Sequence, residues 1–125
     1  MEKEFIPYEE ALALKELGFD EKCLGYYNDD QGKEDEIVIR KCNYEQLHDY
    51  TTVAPLYQQA FRWFREEGFD FYIQYNVYTS VKFYEVHIRE EGSQYVFGKS
   101  LTYEEAELAC LKKLIEIVQK KLAQE

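Results

Sequence analysis

The ten residues FDFYIQYNVY, Phe69 to Tyr78, alternate between two kinds of side chain. A period of two is typical of a β-strand, in which successive side chains point to opposite faces of a sheet. One set is apolar and predicts a face toward the core: Phe69, Phe71, Ile73, Tyr75 and Val77. The other set is polar and aromatic: Asp70, Tyr72, Gln74, Asn76 and Tyr78. This second set is either a surface that binds another molecule or a sheet face that another element covers.

Two more strands and a helix are predicted after this stretch. Beyond a turn near Thr79-Ser80, inward and outward positions alternate again, with Tyr84, Val86 and Ile88 inward and Phe83, Glu85, His87 and Arg89 outward. The third strand is QYVFG, and the last helix opens with the capping box Thr102-x-x-Glu105. Its apolar residues form two adjacent stripes, namely Leu108, Leu111, Ile115, Val118 and Leu122, and Ala106, Cys110, Leu114 and Ile117.

The first half of the chain predicts two helices around a hairpin. The helices are PYEEALALKELGF from Pro7 and PLYQQAFRWFREEG from Pro55, because proline suits a first helical turn and glycine ends a helix. Runs at 23–28 and 36–42 predict two strands that flank a long acidic loop. The segment NYEQLHDYTTV at 43–53 has no clear period and is interpreted as a connection.

Together these patterns predict one α+β domain over residues 1–125. The expected order is α-β-β-α-β-β-β-α, with a mostly antiparallel sheet of four to five strands on which the second and last helices pack. Strand order is left open, because several orders bury the same alternating residues. The expected core is Leu14, Leu17, Ile37, Ile39, Phe61, Phe64, Phe71, Ile73, Val86, Ile88, Phe97, Leu108, Leu111, Ile115 and Val118.

Charge limits the classes of partner. The 25 acidic and 15 basic residues give a net charge of −10, and the bases are scattered along the chain. Nucleic-acid binding depends on neutralising phosphates with Lys and Arg, so nucleic acid and anionic membrane are disfavoured as partners. An alternative use of the acidic surface is imitation of nucleic acid, which would block a basic host protein.

Cysteine usage and hydropathy indicate the compartment. The three cysteines have wide spacings and make no C-x-x-C pair, which argues against a disulfide framework or a zinc site. No segment approaches the ~18 consecutive apolar residues of a transmembrane helix. The N-terminus MEKEFIPYEE carries acids where a signal peptide has bases. The sequence therefore predicts a reduced, cytoplasmic protein.

Few residues are candidates for catalysis. A Cys42–His48 pair with Asp49 would make a cysteine-dependent enzyme conceivable, but no nucleophile turn supports it, and a cysteine that ends an Ile-Val-Ile run is usually a small core residue. The acidic run at 29–36 lacks the alternating ligands of a calcium loop. We therefore expect no catalytic residues, no metal site and no cofactor, and we lean against an enzyme.

An aromatic platform is the candidate binding site. Tyr72, Tyr78, Phe83 and His87 could form it on the outer sheet face, and such platforms stack bases in readers of single-stranded RNA. From the second predicted helix onward, the order α-β-β-β-α is also that of double-stranded-RNA-binding domains. In that family the last helix opens with lysines, whereas this one opens with Thr102-Tyr103-Glu104-Glu105. Coverage by the N-terminal helix and hairpin, or contact with a protein partner or a second copy, is therefore favoured over nucleic acid.

Three pieces of the chain carry a resemblance: FIPYEEALALKELGFDEKCLGYYN at 5–28, APLYQQAFRWFREEG at 54–68 and LTYEEAELACLKKLIEIV at 101–118. The chain resembles a group of small acidic proteins encoded in gut Bacteroidetes genomes, prophages and mobile elements. The resemblance covers nearly half the chain and implies a bacterial, intracellular and phage-related setting, without catalytic or binding residues. The leading hypothesis is a non-enzymatic protein-interaction module, ahead of the nucleic-acid mimic and the cysteine-dependent enzyme.

Overall fold

The chain is an α+β protein with antiparallel sheets, which confirms the predicted fold class. The computed structural model describes residues 2–28, 36–42, 51–90 and 92–124. After a short 3₁₀ turn at Glu2–Glu4, the described elements are α1 (Tyr8–Glu16), β1 (Cys23–Asn28), β2 (Ile37–Cys42), β3 (Thr51–Ala54), α2 (Tyr57–Glu66), β4 (Asp70–Tyr78), β5 (Val81–Glu90), β6 (Ser93–Ser100) and α3 (Tyr103–Ala123). The fold divides into two compact units, Met1–Ala60 and Phe61–Glu125.

The described strands form two three-stranded sheets, with orders β2-β1-β3 and β4-β5-β6, instead of one sheet of four or five strands. The additional strand is β3, which falls at the end of the segment interpreted as a connection. All four residues of β3 are buried. A strand that is buried on both faces shows no alternation, so the period-two signal is missing. Residues 43–50, the rest of that predicted connection, lie outside the described residues.

The first unit is built around β1, which pairs with both β2 and β3. Gly25 allows this close packing, because a Cβ there would lie 2.9 Å from a ring carbon of Phe5 and 3.2 Å from the Val38 carbonyl oxygen. Two residues along β1, the buried Tyr27 hydroxyl donates a hydrogen bond to the Ile6 carbonyl at 2.7 Å. These contacts tie the N-terminal segment to the sheet.

The second unit is a three-stranded meander covered on one face by α3. β4 and β5 pair without a break from Asp70–Arg89 to Tyr78–Val81, around a two-residue turn in which Thr79 has a φ of 55°. The Thr102 half of the predicted capping box is confirmed at the start of α3, where the Thr102 hydroxyl accepts a hydrogen bond from the Glu105 N–H at 3.1 Å. α3 lies against all three strands, as predicted.

The predicted core is confirmed at its centre and wrong at one edge. Leu14, Phe61, Phe64, Val86, Ile88, Leu111 and Ile115 are buried, and the other described members are half-buried except Ile39, which is exposed. The strand order explains Ile39, because β2 is an edge strand of its sheet. The side chain of Phe97 lies outside the described residues. In α3 the more deeply buried stripe is the second one, around Cys110 and Leu114.

Candidate functional site

The four predicted site residues lie on one face of the second sheet. Cross-strand partners share a face, and the pairs are Tyr72 with His87, Asn76 with Phe83 and Tyr78 with Val81. We call this surface the outer face; its members are Asp70, Tyr72, Gln74, Asn76, Tyr78, Val81, Phe83, Glu85, His87, Arg89, Gln94 and Val96. α3 lies on the opposite face, where the ring of Tyr84 contacts Tyr103.

A stacked pair forms the centre of the outer face. The rings of Tyr72 and His87 are nearly parallel, with centroids 4.6 Å apart. The Glu85 carboxylate holds the pair in place, because its Oε1 lies 3.2 Å from His87 Nε2 and accepts a hydrogen bond from Asn76 Nδ2 at 3.1 Å. The His87 side chain is consequently only 13% exposed. The stacked Tyr72 ring and the Glu85 carboxylate thus fix the orientation of the His87 ring.

The aromatic side chains around this pair remain open to solvent. Tyr72 is 53% exposed and Tyr78 is 74% exposed, and Val81 and Val96 are also exposed on the same face. Phe83 is half-buried, with the Lys99 ammonium 5.3 Å above its ring centroid. Exposed rings of this kind are available for contact with a partner.

The end of the β4–β5 hairpin is a second apolar surface that the sequence did not predict. Alternation placed Tyr75 and Val77 in the core, yet Tyr75 is exposed and Val77 is 58% exposed. The reason is that α3 covers this face only from Tyr103, whose ring contacts Tyr84, so the side chains of β4 from Tyr75 toward the hairpin turn are not covered by the helix. The sequence did not reveal this, because alternation shows which face a side chain is on and not whether another element covers it.

A small open depression of about 70 Å³ lies at the other end of the outer face. This volume is several-fold smaller than the ~300–1,000 Å³ of typical small-molecule sites. Its lining residues are Asp70, Tyr72, His87, Ile88, Arg89 and Gln94. The depression is suited to ordered water or to one side chain of a partner, and not to a substrate of ordinary size.

The candidate catalytic and metal-binding residues do not form a site in the parts of the chain that can be described. His48 and Asp49 lie outside the described residues, and so does the side chain of Cys42 at the end of β2. The acidic run at 29–35 is also outside them. Among the described residues, no three His, Cys, Asp or Glu side chains gather where a metal ion could bind.

Cys110 is an inert thiol. It is fully buried in α3, and burial, followed by the nearby Glu107 carboxylate, raises its pKa from 9.0 to about 12. At pH 8 we expect its thiolate fraction to be about a thousandfold lower than in the unfolded chain. Modification by Ellman's reagent should therefore be slower in the folded protein by a large factor, with the Cys110→Ala variant identifying which reaction phase belongs to this residue.

The same thiol makes stability depend on alkaline pH. Since its pKa is raised on folding, its contribution is complete below about pH 9 and declines above it, where only the unfolded thiol ionises. The free energy of unfolding of the parent protein should fall more steeply between pH 9 and 10.5 than that of Cys110→Ala. Equal slopes, or fast labelling of Cys110 in the folded protein, would contradict the burial of this side chain.

Comparison of the chain with protein-family models, curated proteins and solved structures found no match. In the described parts of the chain, no helix is both long and apolar enough to span a membrane.

Proposed function

We propose that this chain is a non-enzymatic protein-interaction module that binds a protein partner through the outer face. The observation that carries the proposal is the stacked pair: the Tyr72 ring stacks on His87, whose ring is held by Glu85, and Tyr72 is still 53% exposed. An aromatic side chain that is already ordered loses little conformational entropy on binding. Tyr is also enriched among residues that dominate binding energy at protein interfaces.

The charge distribution favours a protein over a polyanion as the partner. Residues 61–125 contain nine bases and eleven acids, whereas residues 1–60 contain six bases and fourteen acids. On the outer face, Asp70 and Glu85 are balanced by Arg89 and by Lys99 above Phe83. A nearly neutral aromatic surface suits an ordinary protein contact. The nucleic-acid mimic receives less support, because these charges alternate in sign instead of forming a row of acids.

The proposed setting is a bacterial cell, with the chain acting as an accessory protein of a phage or mobile element. Its support is the resemblance of residues 5–28, 54–68 and 101–118 to small acidic proteins of gut Bacteroidetes and their mobile elements. A small module that acts through a surface fits this setting, because it needs only a host or phage protein to bind.

A site-specific crosslinking experiment tests the proposal. A photoreactive phenylalanine analogue replaces Tyr72 in one variant and Leu122 in the control, since both side chains are about half exposed and Leu122 lies on α3. In a gut Bacteroidetes host we expect the Tyr72 position alone to crosslink a defined protein. With that protein purified, Tyr72→Ala should weaken binding at least about tenfold by calorimetry, and Leu122→Ala less than about twofold. Identical adducts from both positions, or unchanged affinity of Tyr72→Ala, would refute the outer face as the site.

A further inference from the structure

The two edges of the second sheet differ in how they are protected. β6 has a register break opposite Tyr84 and Val86, a glycine at a φ of 79° and Lys99, all of which discourage pairing with another strand. β4 has none of these features: its nine residues contain no Pro, Gly, Lys or Arg and pair with β5 without a break. Among the described residues, β4 pairs only with β5, and no hydrogen bond from a described turn or loop backbone reaches its second edge.

We propose that β4 pairs with β4 of a second copy of this chain, as antiparallel strands about a two-fold axis at Gln74. In a closed two-fold dimer, a residue that points to one face of the sheet lies opposite a residue of the second copy that points to the same face. Because faces alternate with a period of two, only registers that pair even-numbered residues with even-numbered residues satisfy this condition. Among those registers, the one centred on Gln74 pairs all nine residues of the strand.

The pairs in this register are complementary. Asp70, the single charge on β4, lies opposite Tyr78 of the second copy, whose hydroxyl can donate to the carboxylate, so no like charges oppose one another. On the helix-bearing face, the exposed Val77 and Tyr75 lie opposite Phe71 and Ile73. Alternation assigned Tyr75 and Val77 to the core, but they are exposed in the single chain. Pairing with the second copy would cover them. The dimer joins two meanders into a six-stranded sheet with one continuous outer face.

This inference does not depend on the proposed function, because it uses the β4 edge and not the stacked Tyr72–His87 pair. The tests are correspondingly separate: substitution of Tyr72 by alanine addresses partner binding, and a charge placed at Gln74 addresses self-association. If partner binding does not respond to Tyr72→Ala, the self-association measurement can still be interpreted, and the reverse also holds.

Charge substitution at the two-fold axis tests the dimer. Sedimentation equilibrium of the full chain should give a mass that rises with concentration toward twice 15.0 kDa. Gln74→Lys places two lysines opposite each other across the axis and should weaken self-association about tenfold. Within one copy Lys at position 74 faces Glu85, so the fold is expected to tolerate it. The control on the β6 edge is Gln94→Lys, also at an exposed glutamine, which should leave the association unchanged. Because its cross-strand neighbour is Arg89 and not an acid, its circular dichroism spectrum is compared with that of the parent first.

A mixing experiment separates repulsion from misfolding. Gln74→Lys and Gln74→Glu should each be mainly monomeric alone and should form a heterodimer when mixed. Because a glutamate at position 74 would face Glu85 of its own chain, each variant must first be shown to retain the parent's circular dichroism spectrum. Hydrogen exchange of the parent at low and high concentration should show new protection in β4 and none in β6. A parent that stays monomeric up to about 1 mM, an association lost in Gln94→Lys instead, or a lack of recovery on mixing would overturn the proposal.

Discussion

Replacement of Phe64 by alanine is expected to lower the free energy of unfolding by about 4 kcal/mol, measured by urea denaturation followed with circular dichroism. Phe64 is fully buried in α2. Its ring packs edge-on against Trp63 and Phe69, with centroids 5.0 and 6.1 Å away. Truncation removes these contacts and leaves a cavity that the rigid neighbours cannot fill.

Phe83→Ala is the matched control on the outer face. The Phe83 ring is only half-buried, and its described ring contact is the ammonium of Lys99. We expect a loss of about 1 kcal/mol, because part of the ring is already hydrated and the vacated space opens to water. Equal losses for the two variants would mean that the outer face is part of the core, which would contradict its assignment as a binding surface.

Much of the second unit could be predicted from local patterns. The capping box at Thr102, the alternation in β4 and the turn at Thr79-Ser80 are signals within a few residues of the chain. The turn also fixes register, because a two-residue loop sets Tyr78 opposite Val81 and therefore Tyr72 opposite His87. The sequence thus predicted that the four aromatic-platform residues share a face.

The sequence could not predict which side chains on a given sheet face are covered by other elements. Which side chains are buried depends on where other elements begin and end, as with Val77, which lies two residues past the Tyr75–Tyr84 pair at which α3 begins. The same limit applies to Ile39, which the pattern alone placed in the core and which lies on an edge strand. The role of Glu85 was also missed, since its contacts to both Asn76 and His87 depend on rotamers and not on spacing.

α3 offers the second large effect, because two leucines of one predicted stripe have different environments. Leu111 is fully buried and Leu122 is 50% exposed. Leu111→Ala should lower the free energy of unfolding by about 3 kcal/mol, the usual loss when a buried leucine leaves a cavity. Urea denaturation of the two single variants under identical conditions provides the measurement.

Leu122→Ala is expected to cost less than about 1 kcal/mol, since the substitution removes surface that is already half hydrated and helix propensity slightly favours alanine. The comparison holds residue type, helix and chemistry constant, so the difference of at least about 2 kcal/mol reports burial alone. Equal losses would require α3 to be covered as far as its last turn, by a second copy or another element. If the Leu122→Ala loss grew with protein concentration, the stripe's last residue would belong to an interface, and the dimer would extend beyond the β4 edge.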